Sequence, residues 1–324
     1  MRKNYNIQDL IDGILNHKPI ILSKVITLIE NREPIAQEIL KKLYPYTGKA
    51  YIIGITGPPG VGKSSLIDVF ISYLRKQNLT IGVIAIDPSS PYSGGAILGD
   101  RVRMTKHTMD KDVFIRSMAS RGHTGGIALS TRDAVKILDI YGKDIIIVET
   151  TGVGQTEIGI TEIADTTILV LNPETGDEIQ AIKAGIMEIA DIFVVNKSDL
   201  PGAILVKKDV ESSLNLIESS NNYRQPVILT NTLKDGEGIE KLWNAVIYHK
   251  EYQIKSGLLD IRRNNSIKYE IETLLKIKIY QYIHNKLQNS NEFYNVISQI
   301  NQKLIDPWTG TDNILKIFLK DLFK

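Results

Sequence analysis

The sequence predicts an α/β fold in which a mostly parallel central sheet is covered by helices, with a helical extension before it and a helical arm after it. Three observations carry this expectation. Short apolar runs rich in β-branched residues recur from Tyr51 onward and are continuous, not alternating, as strands buried on both faces of a parallel sheet require. Helical patterns lie between those runs, which is the arrangement of strand–helix–strand crossovers. Beyond about Lys255 the strand-like runs stop and the pattern becomes helical throughout.

Taken in chain order, residues 1–47 read as short helices. Ile7, Leu10, Ile11 and Ile14 recur at helical spacing, and Ala36, Ile39, Leu40 and Leu43 repeat the pattern after Pro34. Strands are expected at 51–56, 81–86, 144–150, 167–171, 192–196 and 226–230, with 112–117 as a further candidate. Helices are expected at 63–77, 127–141, 177–190, 203–219 and 237–252. In the last part Ile267, Ile271, Leu274, Leu275 and Ile277 form an apolar stripe, and a second amphipathic piece spans 293–305. Three regions follow: a helical extension at 1–47, a sheet domain at 48–254 and a helical region at 255–324.

Composition narrows the function classes. The 324 residues are 43% hydrophobic and 23% charged, ordinary globular material. With 39 basic and 37 acidic side chains interspersed, no long-range field favours nucleic acid or an anionic membrane, and neither is expected as a partner. There is no cysteine, so disulfides and thiolate metal sites are excluded. No apolar run of about 18 residues and no signal-peptide core stands at the start, which points to a cytoplasmic protein.

Directly after the first apolar run comes Gly57-Pro58-Pro59-Gly60-Val61-Gly62-Lys63-Ser64-Ser65, which fits G-x-x-x-x-G-K-[ST] and opens into a helix near Lys63. The chemistry explains the spacing. Glycines let backbone N–H groups turn inward around phosphate oxygens, and a helix N-terminus adds partial positive charge. Lys63 would reach the β and γ phosphates, and the Ser64 hydroxyl would ligate Mg²⁺. A plain tight turn would not call for Lys-Ser at this place. The fold class is therefore that of a P-loop NTPase.

Asn196-Lys197-Ser198-Asp199 follows the run 192–196 and matches N-K-x-D. The Asp199 carboxylate can accept from guanine N1–H and the exocyclic amine, neither of which adenine offers. The Lys197 stem would lie along the base, and Asn196 would tie the loop together. At the carboxyl end of a strand, where parallel sheets bind ligands, four polar residues become informative. The Ser-Ala dipeptide usual as a third guanine element is absent, and Thr230-Asn231-Thr232 stands there before Gly236-Glu237-Gly238-Ile239.

Glu149-Thr150-Thr151-Gly152 occupies the place of a D-x-x-G element with Glu in place of Asp. Its carboxylate can hold Mg²⁺ through water, and the Gly152 N–H can meet the γ-phosphate, so the following loop to Glu157 is a switch by position. Asp87 ends the run 81–86, and Asp100 lies in the glycine-containing loop beyond. Both would suit Mg²⁺ as hard oxygen donors. Asp87 equally fits an Asx turn before Pro88, and Asp100 a solvated loop charge.

Together these residues resemble one family. The strings 83–104 (VIAIDPSSPYSGGAILGDRVRM), Arg116 to Gly126, 149–157 (ETTGVGQTE) and 176–185 (GDEIQAIKAG) are similar to the MeaB/ArgK-type GTPases of the SIMIBI class, over most of 51–252 and onward to Arg262-Arg263 and Asp306-Pro307-Trp308. The resemblance implies a GTP-hydrolysing metallochaperone that gates adenosylcobalamin delivery to, and protects, an acyl-CoA mutase, usually methylmalonyl-CoA mutase. It implies a homodimer formed through the C-terminal arm. It places Asp87, Asp100 and Glu149 at metal and switch positions, and Asp177 to Lys183 on a third switch. This sequence departs at Thr151, where the family commonly has Val, and at the Thr230 element.

For hydrolysis the expected mechanism is positioning of a water in line with the γ-phosphate while Lys63 and Mg²⁺ offset developing charge, with Lys63, Asp87 and Glu149 as the catalytic set. Gln155 and Glu157 are candidates for holding the water. Two rival readings remain: a nickel or zinc insertion GTPase, and an ATPase or kinase linked to amino-acid transport. The first calls for a metal-loading cluster, whereas the five His are scattered at 17, 107, 123, 249 and 284.

Overall fold

The computed structural model describes residues 6–87, 106–107, 109–119, 129–150, 159–175, 184–216, 223–234, 236–288 and 290–322. Seven strands form one sheet: β1 (Tyr51–Thr56), β2 (Ile81–Asp87), β3 (Val113–Ala119), β4 (Ile145–Glu149), β5 (Thr166–Leu171), β6 (Ile192–Val195) and β7 (Val227–Leu229). Their order is β3-β2-β4-β1-β5-β6-β7, and every neighbouring pair is parallel. The run at 112–117 is thus a full edge strand, extended by two residues to Ala119.

Both faces of the sheet are covered, which is why its strands read as unbroken apolar runs. On one face Ile53, Ile55, Val83, Ile147, Val170 and Val194 pack with α4 (Lys63–Lys76) and with Ile239, Leu242 and Val246 of a later helix, Ile239–Ser256. The opposite face alternates with it along each strand. There Ile84, Ile86, Ile146 and Val148 meet α5 (Leu129–Ile140) and the helices of the amino-terminal segment, α1 (Ile7–Leu15), α2 (Pro19–Glu30) and α3 (Pro34–Leu43). Further along, Leu169, Leu171, Phe193 and Val195 meet α6 (Ala184–Ile189) and α7 (Ala203–Leu216). The amino-terminal helices therefore share a core with the sheet. Asp139 on α5 fixes the connection between them by accepting the N–H groups of Gly48, Lys49 (3.0 Å) and Ala50 (2.7 Å), just before β1.

The amino edge of the sheet is closed by carboxylates. Asp144, Asp165 and Asp191 each precede a strand and accept a neighbour's backbone N–H: Thr80 at 2.7 Å, Ile52 at 2.9 Å and Thr167 at 2.7 Å. Two arginines neutralise two of them. Arg263 grips Asp165 through Nε and Nη2 at 2.9 and 2.8 Å, and Arg262 Nη1 reaches Asp191 at 2.8 Å. Both lie in the first turns of α9 (Leu258–Gln288), which follows α8 (Ile239–Ser256) across Gly257 in the left-handed conformation, φ 73°. Buried between them, Tyr51 Oη shares a hydrogen bond with Thr166 Oγ1 (2.6 Å), and Thr166 Oγ1 another with His249 Nδ1 (2.8 Å).

The chain divides into two compact units, residues 1–265 and 266–324. In the second, α10 (Asn291–Asn301) and α11 (Pro307–Leu322) pack as a pair so closely that a Cβ at Gly310 would stand 2.8 Å from Ile300 Cδ1. The second amphipathic piece ends at Asn301 and not at 305, because the chain turns through a left-handed Lys303, φ 58°. Asp306 then caps α11, accepting from Trp308 N (2.9 Å), Thr309 N (3.1 Å) and Thr309 Oγ1 (2.6 Å). The apolar stripe of α9 is solvent-facing within its own helix, where no residue is buried.

The amino-edge network sets a pH dependence. Burial holds the His249 imidazole below its ordinary pKa, against the opposing pull of Asp191 and Asp165, with Arg262 adding to the depression. The unfolded chain takes up that proton near pH ~6.5, whereas the folded chain resists it. Stability is therefore full above that value and is lost as pH falls, by at most about 1.4 kcal/mol per pH unit. Urea unfolding between pH ~7.5 and ~5.5 should show this decline, and His249→Gln should flatten it. A midpoint that stays level in the unaltered chain would contradict the assignment.

Candidate functional site

The carboxyl ends of β1, β4, β5, β6 and β7 lie on one edge, and the motif residues follow them. Gly57 continues β1 at φ 144°, where a Cβ would stand 2.1 Å from the Val170 carbonyl oxygen of β5, so only glycine lets the loop leave the sheet here. Gly62 takes φ 92° at the N-cap of α4, and a Cβ there would stand 2.5 Å from Asn196 Nδ2. Lys63 and Ser64 open the helix and are both buried. Lys63 Nζ donates to the carbonyls of Gly57 (2.7 Å) and Pro58 (2.9 Å), curling the lysine back over its own loop.

Ser64 Oγ donates to Glu149 Oε1 at 2.8 Å, joining the phosphate-loop motif to the end of β4. Glu149 is buried, and beside it Thr150 Oγ1 donates to Thr56 Oγ1 at 2.8 Å. The pair Ser64–Glu149 supplies hard oxygen atoms at the place a divalent cation would need them, so the residues fit Mg²⁺. The backbone of Asp87 ends β2, two strands from β1 in the sheet, and its side chain lies outside the described residues. Asp100, Gly152, Gln155, Glu157 and Asp177 to Lys183 also lie outside them.

At the base element, Asn196 is the joint. Its Nδ2 donates to the Val61 carbonyl (3.0 Å), and its Oδ1 accepts from Thr230 Oγ1 (3.2 Å). Ser198 N donates to the Thr230 carbonyl at 3.0 Å, drawing the same two loops together again. Asp199 stands exposed on this loop. Thr230 and Asn231 are buried, and Asn231 pairs antiparallel with Glu237 to close the turn that holds Thr232. The structure therefore brings together residues 57–65, Glu149, 196–199 and 230–232.

Three contacts at this edge escape a reading by motif. Glu174 Oε2 accepts from Lys197 Nζ at 2.9 Å and from Asn172 Nδ2 at 3.0 Å. The lysine holds the Glu174 carboxyl below its ordinary pKa, by its hydrogen bond first and its charge second. The Thr56–Thr150 bond binds β1 to the chain just before the expected switch. Arg132 on α5, itself buried, donates to the Glu162 carbonyl (3.0 Å) and carboxylate (2.8 Å) beyond that switch. A signal existed for Glu174 alone: Asn172-Pro173-Glu174 directly follows a buried strand at the ligand-binding edge.

The fold and these loops define a P-loop nucleotide hydrolase of the GTPase class. The model of the methylmalonyl-CoA mutase-associated GTPase MeaB family matches residues 22–288, and the chain belongs to that family. A Pyrococcus abyssi protein provisionally named a GTPase is 46% identical over 314 residues, covering 96% of each chain. GTPase ArgK of Escherichia coli is 36% identical over 256 residues, which is 76% of this chain and 77% of ArgK. Among solved structures, a LAO/AO transport system kinase superposes with a TM-score of 0.73 at 24% identity, over 98% of this chain and 100% of that one, and shows the shared fold. The protein is a GTPase and binds guanine nucleotide. Among the described residues no helix is long and apolar enough to cross a membrane.

The joint at Asn196 gives a direct test of this geometry. Asn196→Ala leaves the Val61 carbonyl and the Thr230 hydroxyl without their amide partner in a buried setting. The expected loss is about 1–3 kcal/mol of unfolding free energy in urea, together with weaker GDP binding. An unchanged urea midpoint would show that the amide does not hold the loops.

Proposed function

We propose that this GTPase is a nucleotide-gated chaperone for an adenosylcobalamin-dependent acyl-CoA mutase, most simply methylmalonyl-CoA mutase. The single observation that carries the reading is the family match over 22–288, read together with a site in which the phosphate, metal and base elements adjoin. The ATPase or kinase reading gains nothing from the fold likeness, because a transport label on a structure 24% identical speaks for that protein. The metal-insertion reading has no cluster of three or more His, Cys, Asp or Glu among the described residues to support it.

In this proposal the N–H groups of 57–65 and the N-terminus of α4 receive the phosphates. Lys63, whose Nζ donates to the Gly57 and Pro58 carbonyls, turns to the β and γ phosphates. Ser64, with Asp87, Asp100 and Glu149, would hold Mg²⁺, which when bound supplies charge stabilisation for the departing phosphoryl group. Asp199 selects guanine, Lys197 lies along the base, and Thr230, Asn231 and Thr232 offer backbone to it. Gln155 or Glu157 holds the attacking water. The segment beginning at Thr151 and the third switch at Asp177 to Lys183 change with hydrolysis, and the mutase reads that change in the cytoplasm.

Residues 255–324 are proposed to form a homodimer. Ile267, Ile271, Leu275 and Ile279 are about half exposed along α9, which supports an apolar partner face. Light scattering on the full chain is expected to give twice 36.3 kDa. A monomeric mass at micromolar concentration would remove the dimer.

The functional test is GTP hydrolysis with Mg²⁺ by the purified chain, alone and with a cobalamin-dependent acyl-CoA mutase from the same source. Slow turnover that rises at least several-fold with the mutase is expected, and Lys63→Ala should abolish it by removing the phosphate contact. Turnover indifferent to the mutase would leave the GTPase standing and remove the partner.

A further inference from the structure

The strand order places the base loop next to a segment that no motif includes. β5 and β6 are neighbours with Leu171 opposite Val195, and Asn196 N continues the ladder by donating to the Leu171 carbonyl at 2.8 Å. The loops that leave these two strands, 172–175 and 196–199, consequently run side by side. On one stands Lys197 with a left-handed backbone, φ 53°, an unusual conformation for a residue with a side chain. That backbone is pinned on every side: Asn196 N and Ser198 N are both hydrogen-bonded, and the Lys197 carbonyl accepts from Leu200 N at 3.0 Å. Only the four-carbon stem of the lysine keeps freedom.

Glu174 removes it. The carboxylate sits in the short turn Pro173–Thr175, where Asn172 Nδ2 orients it from a buried position, and its Oε2 receives the lysine ammonium at 2.9 Å. The Glu174 side chain is 66% exposed, so an ion pair here contributes little to holding the fold. Its effect falls on the lysine, whose stem is fixed at both ends before any base arrives.

We infer that Glu174 is a positioning residue for guanine-nucleotide binding: by anchoring Lys197 Nζ it pre-orders the lysine stem that lies along the base. This rests on the guanine-site reading of 196–199 given above. Immobilising a long side chain in advance removes an entropic cost from the binding step. The benefit is the same for GTP and GDP, because it acts at the base and not at the phosphates. Glu174 also stands two residues before the segment 176–185, so the base-reading lysine is tied to the chain that leads into the proposed third switch.

The test is equilibrium binding of fluorescent GTP and GDP analogues to the full chain, with Glu174→Gln, Glu174→Asp, Lys197→Ala and the double variant. Glu174→Gln should weaken both nucleotides alike, by about two- to five-fold, the range an exposed pair supports. The difference from the unaltered chain should vanish in about 1 M salt, where screening reaches ~3 Å, and Glu174→Asp should recover part of it. In the Lys197→Ala background Glu174→Gln should change nothing further. Unchanged or tighter binding by Glu174→Gln, or an equal loss with Lys197 already removed, would overturn the inference. Failure of the underlying reading looks different, since the unaltered chain itself would then bind ATP as well as GTP. A merely structural role would show as a lower unfolding midpoint in Glu174→Gln with nucleotide affinity unmoved.

Discussion

Parallel pairing is the constraint from which the arrangement follows. When every strand runs the same way, every carboxyl end lies on one edge and every connection must cross a face, so loops that are far apart in the chain become neighbours in the order of the strands. With β4, β1, β5, β6 and β7 consecutive in the sheet, Glu149, the 57–65 loop, Asn172, Asn196 and Thr230 stand in a row. No special device is needed to assemble them. What remains is to hold the row at close quarters, and the contacts that do so are short: Ser64 to Glu149, Thr150 to Thr56, and Asn196 to Val61 and Thr230.

The two edges of the sheet solve different problems with different chemistry. At the amino edge Asp144, Asp165 and Asp191 accept strand N–H groups, and Arg262 and Arg263 compensate the last two in part-buried ion pairs. At the carboxyl edge the links are mostly amide and hydroxyl, which hold position without locking charge. Lys63 Nζ there donates to two carbonyls of its own loop.

Steric limits explain the glycines of the phosphate loop as fully as ligand contact does. Gly57 passes so near β5 that a Cβ would stand 2.1 Å from the Val170 carbonyl oxygen, and at Gly62 a Cβ would stand 2.5 Å from the Asn196 side chain. The loop is therefore shaped by the sheet beneath it and by the base loop beside it. Gly60 differs, since a Cβ there would meet nothing within 4 Å, and its requirement is the positive φ of 83° alone.

Much of the fold and the centre of the site were legible in the chain. The runs at 51–56 and 192–196, the loop 57–65 and the quartet 196–199 are contiguous, and contiguous residues carry their own geometry: a strand, a glycine turn and a helix start constrain one another within a few positions. The edge strand at 113–119 was visible only in part, because a partly exposed strand has a weaker apolar run. Residues outside those contiguous strings were not legible in the same way. Glu174 meets Lys197 across 23 positions, Arg132 meets Glu162 across 30, and Arg263 meets Asp165 across 98, and no local pattern in the sequence records any of these distances. The sequence by itself determined which local structures form and which chemistry each loop carries. The tertiary structure alone decided which loops stand side by side, because that depends on the order of strands in the sheet, and the order is set by crossovers and packing that act over the whole domain.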